Sequence, residues 1–140
     1  MGISKASARW EGGFKDGRGQ MKPAHAAEVP FAVNTRFEGA AGSNPEELIG
    51  AALAGCFSMA LAAALGRAGL TPGAIDTTAD VQLDKEADGF RITQMALTTR
   101  ASVPNADPAK FQAIAEETKK GCPVSKALAA TPITLKATLA

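Results

Sequence analysis

Along the first part of the chain apolar and polar positions alternate. Ala6, Ala8 and Trp10 are separated by polar residues, and Gly12-Gly13 interrupts the run. A two-residue period of this kind predicts a strand. Asp16-Gly17 is a hairpin-type turn signal. Val29 to Phe37 has the composition of a further strand, closed by Gly39 and Gly42, which would place Arg36 near a strand end.

The pattern changes at Asn44-Pro45-Glu46-Glu47. Asn44 can cap a helix, Pro45 suits its first position, and Glu47 completes a capping box. Both glutamates also favour the positive end of the helix dipole. The helix should run to about Gly66 or Gly69. From Leu48 to Leu65 its only polar side chain is Ser58. Being apolar on nearly every face, it must be enclosed on all sides. One sheet covers one side only, so the other side calls for a partner of similar extent, most simply a second copy related by a two-fold axis.

Beyond the loop Thr71-Pro72-Gly73, the segments Ile75–Leu83 and Phe90–Val103 are rich in threonine and aliphatic residues, and Ala87-Asp88-Gly89 joins them as a hairpin. Asp107-Pro108 opens a second helix that turns Phe111, Ile114 and Ala115 inward. Lys119-Lys120-Gly121 ends it with a cationic last turn and a glycine stop. Cys122-Pro123 opens a short third helix, and Ile133–Leu139 makes a final strand. The order βββ-α-ββ-α-α-β is that of an α+β protein. With 140 residues and no internal repeat or linker, residues 1–140 are expected to form a single domain.

Composition narrows the function. At 46% hydrophobic and 21% charged residues the chain has the make-up of a folded globular protein. A net charge of +1 with scattered lysines and arginines offers no nucleic-acid surface. The apolar run at Leu48–Leu65 reaches the edge of membrane-spanning length. Seven of its residues are alanine and two are glycine, so a buried central helix is favoured over a membrane span. The N-terminus lacks the apolar core of a signal peptide, which points to the cytoplasm. A single histidine, His25, and no CxxC motif exclude a structural zinc site.

In a reducing compartment Cys56 and Cys122 are either inert core residues or a redox pair. Cys56 lies in mid-helix, where the dipole helps little and apolar surroundings raise a thiol pKa. To react it needs a cation from elsewhere; otherwise it is a small core residue. Cys122 sits at a helix cap, where free N–H groups favour a thiolate, and Lys119, Lys120 and Lys126 add positive potential. Local physics alone makes Cys122 the more acidic thiol. Arg36 and Arg18 are candidate cations, with plain surface roles as the alternative. Glu46 by itself reads as a helix-start charge.

Several blocks together carry a resemblance. Asn34-Thr35-Arg36-Phe37-Glu38-Gly39, Asn44-Pro45-Glu46-Glu47-Leu48-Ile49-Gly50-Ala51-Ala52, Cys56-Phe57-Ser58-Met59-Ala60-Leu61, Ile75-Asp76-Thr77-Thr78-Ala79-Asp80-Val81 and Gly121-Cys122-Pro123-Val124-Ser125 closely resemble the osmotically inducible protein C (OsmC) family. The sister organic hydroperoxide resistance (Ohr) group shares both cysteines but carries its arginine in an earlier loop, so the Arg36 block points to the OsmC side.

The resemblance implies an OsmC-like α+β fold in which strands of both halves wrap around long central helices in an intertwined homodimer. It implies a cytoplasmic, antioxidant thiol peroxidase that reduces organic hydroperoxides, and H2O2 more weakly, in response to stress. Cys56 is then the peroxidatic cysteine and Cys122 the resolving one. Arg36 holds the Cys56 thiolate and Glu46 orients Arg36. The Cys56 sulfenic acid condenses with Cys122 to a disulfide. After the flexible Gly121, Cys122 is free to move toward it. No cofactor or metal is bound; the reductant is an external dithiol such as dihydrolipoamide or a lipoylated protein. Phe37, Phe57, Met59 and Phe111 are candidates for an apolar substrate pocket, or for plain core. Glu46 and Cys56 are ten positions apart on one helix, about 15 Å of rise at 1.5 Å per residue. A glutamate cannot bridge that, so an active site built across the two-fold axis is expected. A non-catalytic redox sensor or stress-response thiol protein, and a structural dimer with inert cysteines, are the competing readings.

Overall fold

The computed structural model describes residues 2–140; Met1, where the signal-peptide reading begins, lies outside the described residues. Ten elements follow one another: β1 (Ala6–Glu11), β2 (Arg18–Pro23), β3 (Val29–Phe31), α1 (Val33–Phe37), α2 (Pro45–Arg67), β4 (Ala74–Glu86), β5 (Gly89–Ser102), α3 (Pro108–Gly121), α4 (Pro123–Ala127) and β6 (Ile133–Leu139). They fall into two compact units, one up to Leu48 and one from Ile49 to Ala140.

In the first unit β1, β2 and β3 form an antiparallel sheet in sequence order. The turn between β1 and β2 is held by glycine. A Cβ on Gly17 would collide with the carbonyl oxygens of Gly13 and Glu11 and stand 2.8 Å from the Trp10 ring. The Trp10 ring also packs on Phe31, with centroids 5.3 Å apart.

The strand expected over Val29–Phe37 stops at Phe31, and Val33–Phe37 is the short helix α1. The composition is that of a strand, yet local hydrogen bonds decide otherwise. Thr35 Oγ1 accepts from the Ala32 N–H (2.9 Å) and donates to the Ser43 carbonyl (2.6 Å). Asn34 O receives the N–H groups of Glu38 and Ala40. A threonine hydroxyl that offers the backbone such partners competes directly with a sheet ladder. Arg36 therefore projects from a helix, not from a strand end.

Helix α2 starts as its sequence predicts, with Asn44 Oδ1 accepting from the Glu47 N–H at 2.8 Å. The second half of the expected capping box is replaced: the Glu47 carboxylate accepts from the Ser43 hydroxyl at 2.6 Å.

In the second unit β4 and β5 pair antiparallel and β6 joins β5 in parallel, the return being made through α3 and α4. Leu53, Phe57, Leu61 and Leu65 recur every fourth residue of α2 and are fully buried. They form one core with Met95, Leu97, Ala101 and Val103 of β5 and its following loop, and with Phe111 and Ala115 of α3. Each such side chain contributes about 1.5–3 kcal/mol of burial. A polar seam crosses this core. Ser58 Oγ lies 2.8 Å from both Ala54 O and Thr77 Oγ1, and Thr77 Oγ1 meets Thr99 Oγ1 at 2.9 Å.

The rest of α2 is not enclosed. Ala51, Ala52, Gly55, Met59, Ala63 and Gly66 are exposed, Met59 at 77%. The helix is long and apolar enough to cross a membrane by composition, and within this chain only one stripe of it is covered. The expectation that one sheet covers one side of this helix matches that burial.

Candidate active site

The structure gathers the expected site residues into two pairs, one in each unit. In the first unit the guanidinium of Arg36 forks onto the Glu46 carboxylate. Arg36 Nε donates to Oε1 and Oε2 at 3.1 and 3.2 Å, and Arg36 Nη2 also donates to Oε1. Glu46 is only 7% exposed and α2 begins one residue before it. A buried carboxylate needs such a partner, and a planar two-point pairing fixes the direction of the arginine as well as its charge. The Arg36 side chain keeps about a third of its surface exposed, 34%. It also lies over the Phe37 ring, 5.5 Å from the centroid, a favourable cation–π distance.

Beside Arg36 is an open cavity of about 320 Å³ lined by Trp10, Phe14, Phe31, Val33, Phe37 and Pro45 together with Ala32. Of the four residues expected to form an apolar pocket, Phe37 alone lines it. Phe57 and Phe111 are fully buried in the core of the second unit, and Met59 stands out from α2. An apolar side chain reads the same in sequence whether it faces a core or a pocket. Trp10 and Phe14 carry no pocket signal in the sequence, because an alternating strand and a glycine-rich turn account for them without one.

In the second unit Cys56 and Cys122 come together as free thiols. Cys56 is partly buried and Cys122 is 1% exposed. Burial pushes the Cys56 thiol up; the Val124 N–H, in the first turn of α4, donates to its sulfur and opposes that rise. The neighbouring Cys122 side chain adds to it. The expectation that apolar surroundings raise the thiol pKa of a mid-helix Cys56 agrees with this direction.

Cys122 closes α3 and opens α4. Its N–H donates to Thr118 O at 3.1 Å. Its sulfur accepts from the Ser125 N–H at 3.3 Å and lies 3.0 Å from Ser125 Oγ. The cysteine expected to swing on a flexible Gly121 is instead seated in the core, already beside Cys56. The cationic surroundings expected for it are also reduced, since Lys119 and Lys120 pair with Glu116 and Glu117 at 3.0 and 3.5 Å. In the sequence Ser125 figures only as the last residue of the Gly121–Ser125 block, with no role of its own. Its position three residues after a cap residue was the available signal, because that is where a cap side chain finds its N–H donor. Arg18 opens β2, with its side chain on a polar surface groove that also includes Arg9, Lys22, Glu11 and Glu28. Among the described residues no cluster of histidine, cysteine and carboxylates could hold a metal.

An α+β chain with two thiols seated between a long apolar helix and a capped short one defines a recognisable class. A family model for OsmC-like proteins matches residues 38–137. The chain is 52% identical over 128 residues to peroxiredoxin OsmC of Escherichia coli, covering 90% of each protein. The fold superimposes on the organic hydroperoxide resistance protein OhrB of Bacillus subtilis with a TM-score of 0.71 and 25% identity, covering 99% of this chain and 98% of that one. An OsmC-like protein of Vibrio cholerae matches with a TM-score of 0.79 at 14% identity, covering 98% and 99%. The chain belongs to the OsmC family.

Proposed function

We propose that this protein is a cytoplasmic thiol peroxidase that reduces organic hydroperoxides, with Cys56 as the peroxidatic and Cys122 as the resolving cysteine. The observation that carries the reading is the juxtaposition of the two thiols within one unit, with Cys56 keeping some exposure and Cys122 buried. The identity with a peroxiredoxin and the fold shared with hydroperoxide resistance proteins support it.

The Cys56 thiolate attacks the outer oxygen of ROOH. The O–O bond breaks, RO⁻ leaves and takes a proton to become the alcohol, and Cys56 becomes a sulfenic acid. Cys122 then forms an S–S bond with Cys56 as the S–O bond breaks and water departs. An external dithiol, such as dihydrolipoamide or a lipoylated protein, supplies the two electrons that restore both thiols.

What Cys56 lacks locally is a cation, and the Arg36–Glu46 pair is a cation held ready. In this reading a homodimer covers the open faces of α2, and the Arg36–Glu46 pair of one protomer serves the cysteines of its partner. The guanidinium stays charged at any working pH. It favours the thiolate and donates to the departing oxygen in a site of low dielectric. The aromatic cavity beside Arg36 takes the R group. The test is peroxide consumption with cumene hydroperoxide against H2O2, using dihydrolipoamide and then thioredoxin as reductant. Faster turnover of the organic peroxide with the lipoyl dithiol is expected. No turnover of either peroxide with either reductant contradicts the proposal.

A further inference from the structure

Ser125 belongs to none of the roles assigned above, yet its hydroxyl and its N–H both meet the Cys122 sulfur. It is 4% exposed. Its hydroxyl oxygen lies 3.0 Å from Cys122 Sγ, and among the described residues that sulfur is its one hydrogen-bond partner. Its N–H also points at the same sulfur, at 3.3 Å. A buried hydroxyl with a single partner must use it, since an unsatisfied one costs about 1–3 kcal/mol. Whenever Cys122 is a thiolate, the hydroxyl hydrogen goes to sulfur, because a thiolate has no hydrogen to give.

We propose that Ser125 is a catalytic residue acting on Cys122, and that its O–H and N–H make Cys122 the thiolate that leaves when the disulfide is reduced. This rests on the reading of Cys56 and Cys122 as the redox pair. In the resolving step Cys122 gives up its thiol proton and attacks the sulfenic sulfur of Cys56; the S–S bond forms, the S–O bond breaks, and hydroxide takes up a proton to leave as water. In the reducing step the thiolate of an external dithiol attacks Cys56 Sγ. The S–S bond breaks, its electron pair stays on Cys122, and Ser125 receives that charge with two donors. The second thiol of the dithiol then attacks its own mixed disulfide and releases Cys56, leaving the dithiol oxidised to a cyclic disulfide.

The direction of attack follows from two facts about the site. Cys56 keeps part of its surface, whereas Cys122 is 1% exposed and a partner protomer can only bury it further. Exchange is also faster when the expelled thiolate is stabilised as it leaves, and both Ser125 donors already face Cys122 Sγ. The mixed disulfide is therefore formed on Cys56.

Two measurements test this. Oxidised wild-type protein is mixed briefly with 2-mercaptoethanol, quenched in acid, alkylated and peptide-mapped. The adduct is expected on Cys56 with alkylated Cys122; the adduct mainly on Cys122 overturns the proposal. In stopped-flow work Ser125→Ala should slow both disulfide formation and its reduction by dithiothreitol. The loss should be about three- to tenfold, the share of one charge-assisted hydrogen bond expressed in an exchange transition state. The peroxide step should slow less than either. Equal slowing of all three steps, or no slowing of the two exchange steps, overturns it. If peroxide-treated wild type forms no Cys56–Cys122 disulfide, the redox-pair reading falls as well; if the disulfide forms and the adduct or the rates disagree, only the role of Ser125 falls.

Discussion

The two units of this chain are built on opposite terms. From Ile49 onward the chain holds every residue of the apolar core, from Leu53 to Cys122, and its cysteines are part of that core. Up to Leu48 the chain has none of it. All six residues of β1 are exposed, and Glu46 is buried only with its arginine. The second unit holds a thiol, Cys56, whose burial works against its ionisation. The first holds a guanidinium fixed on a carboxylate beside an aromatic cavity.

The comparison is broken most severely by removing the nucleophile. Cys56→Ser should abolish consumption of even one equivalent of peroxide, a loss of about a thousandfold or more of the kind seen when a nucleophile is deleted. A peroxide assay at stoichiometric enzyme reads it directly.

Next in size is the charge of the first unit. Arg36→Ala should lower kcat/KM by about a hundredfold, the loss of one oriented donor to a developing oxyanion. Burial already raises the Cys56 thiol above its ordinary pKa, and a nearby cation lowers it. If Arg36 is that cation, as proposed, removing it moves the pH profile of Cys56 alkylation upward, so the thiolate is reached only in more alkaline solution. Lysine at this position should restore part of the loss, because it carries the charge without the planar fork. An unchanged alkylation profile would transfer the role to Arg18.

Stability should separate the units in the other direction. Leu61→Ala, in the core of the second unit, should cost about 2–5 kcal/mol in denaturant unfolding. Phe14→Ala, at the rim of the cavity beside Arg36 and 66% exposed, should leave stability nearly unchanged. Its effect belongs on substrate binding: KM for cumene hydroperoxide should rise about three- to tenfold, the worth of one aromatic contact, while the constants for H2O2 stay put.

Much of the second unit was legible because its periodicities are long. A 23-residue helix with a leucine or phenylalanine every fourth position, two strands joined at Ala87-Asp88-Gly89, and a glycine before Cys122 each carry many residues of agreement. The first unit was harder to read. Val29–Phe37 has strand composition, and one hydroxyl, that of Thr35, redirects it through contacts with Ala32 and Ser43 that no local pattern announces. Phe57 and Phe111 were indistinguishable from pocket residues because both settings select the same side chains. The cationic aura expected for Cys122 ignored Glu116 and Glu117, whose spacing to Lys119 and Lys120 was visible and makes an ion pair the default outcome on a helix. A serine after Cys-Pro-Val reads as helix-start polarity, and only the fold sets its hydroxyl on the Cys122 sulfur.

The central claim is the division of labour between the two thiols. Cys122→Ser protein is treated with one equivalent of cumene hydroperoxide in the presence of dimedone and mapped by mass spectrometry, alongside Cys56→Ser. The account predicts that Cys122→Ser consumes about one equivalent and carries dimedone on Cys56, as a lone peroxidatic cysteine does, while Cys56→Ser consumes none and stays unlabelled. Rapid peroxide loss in Cys56→Ser with dimedone on Cys122 would contradict it.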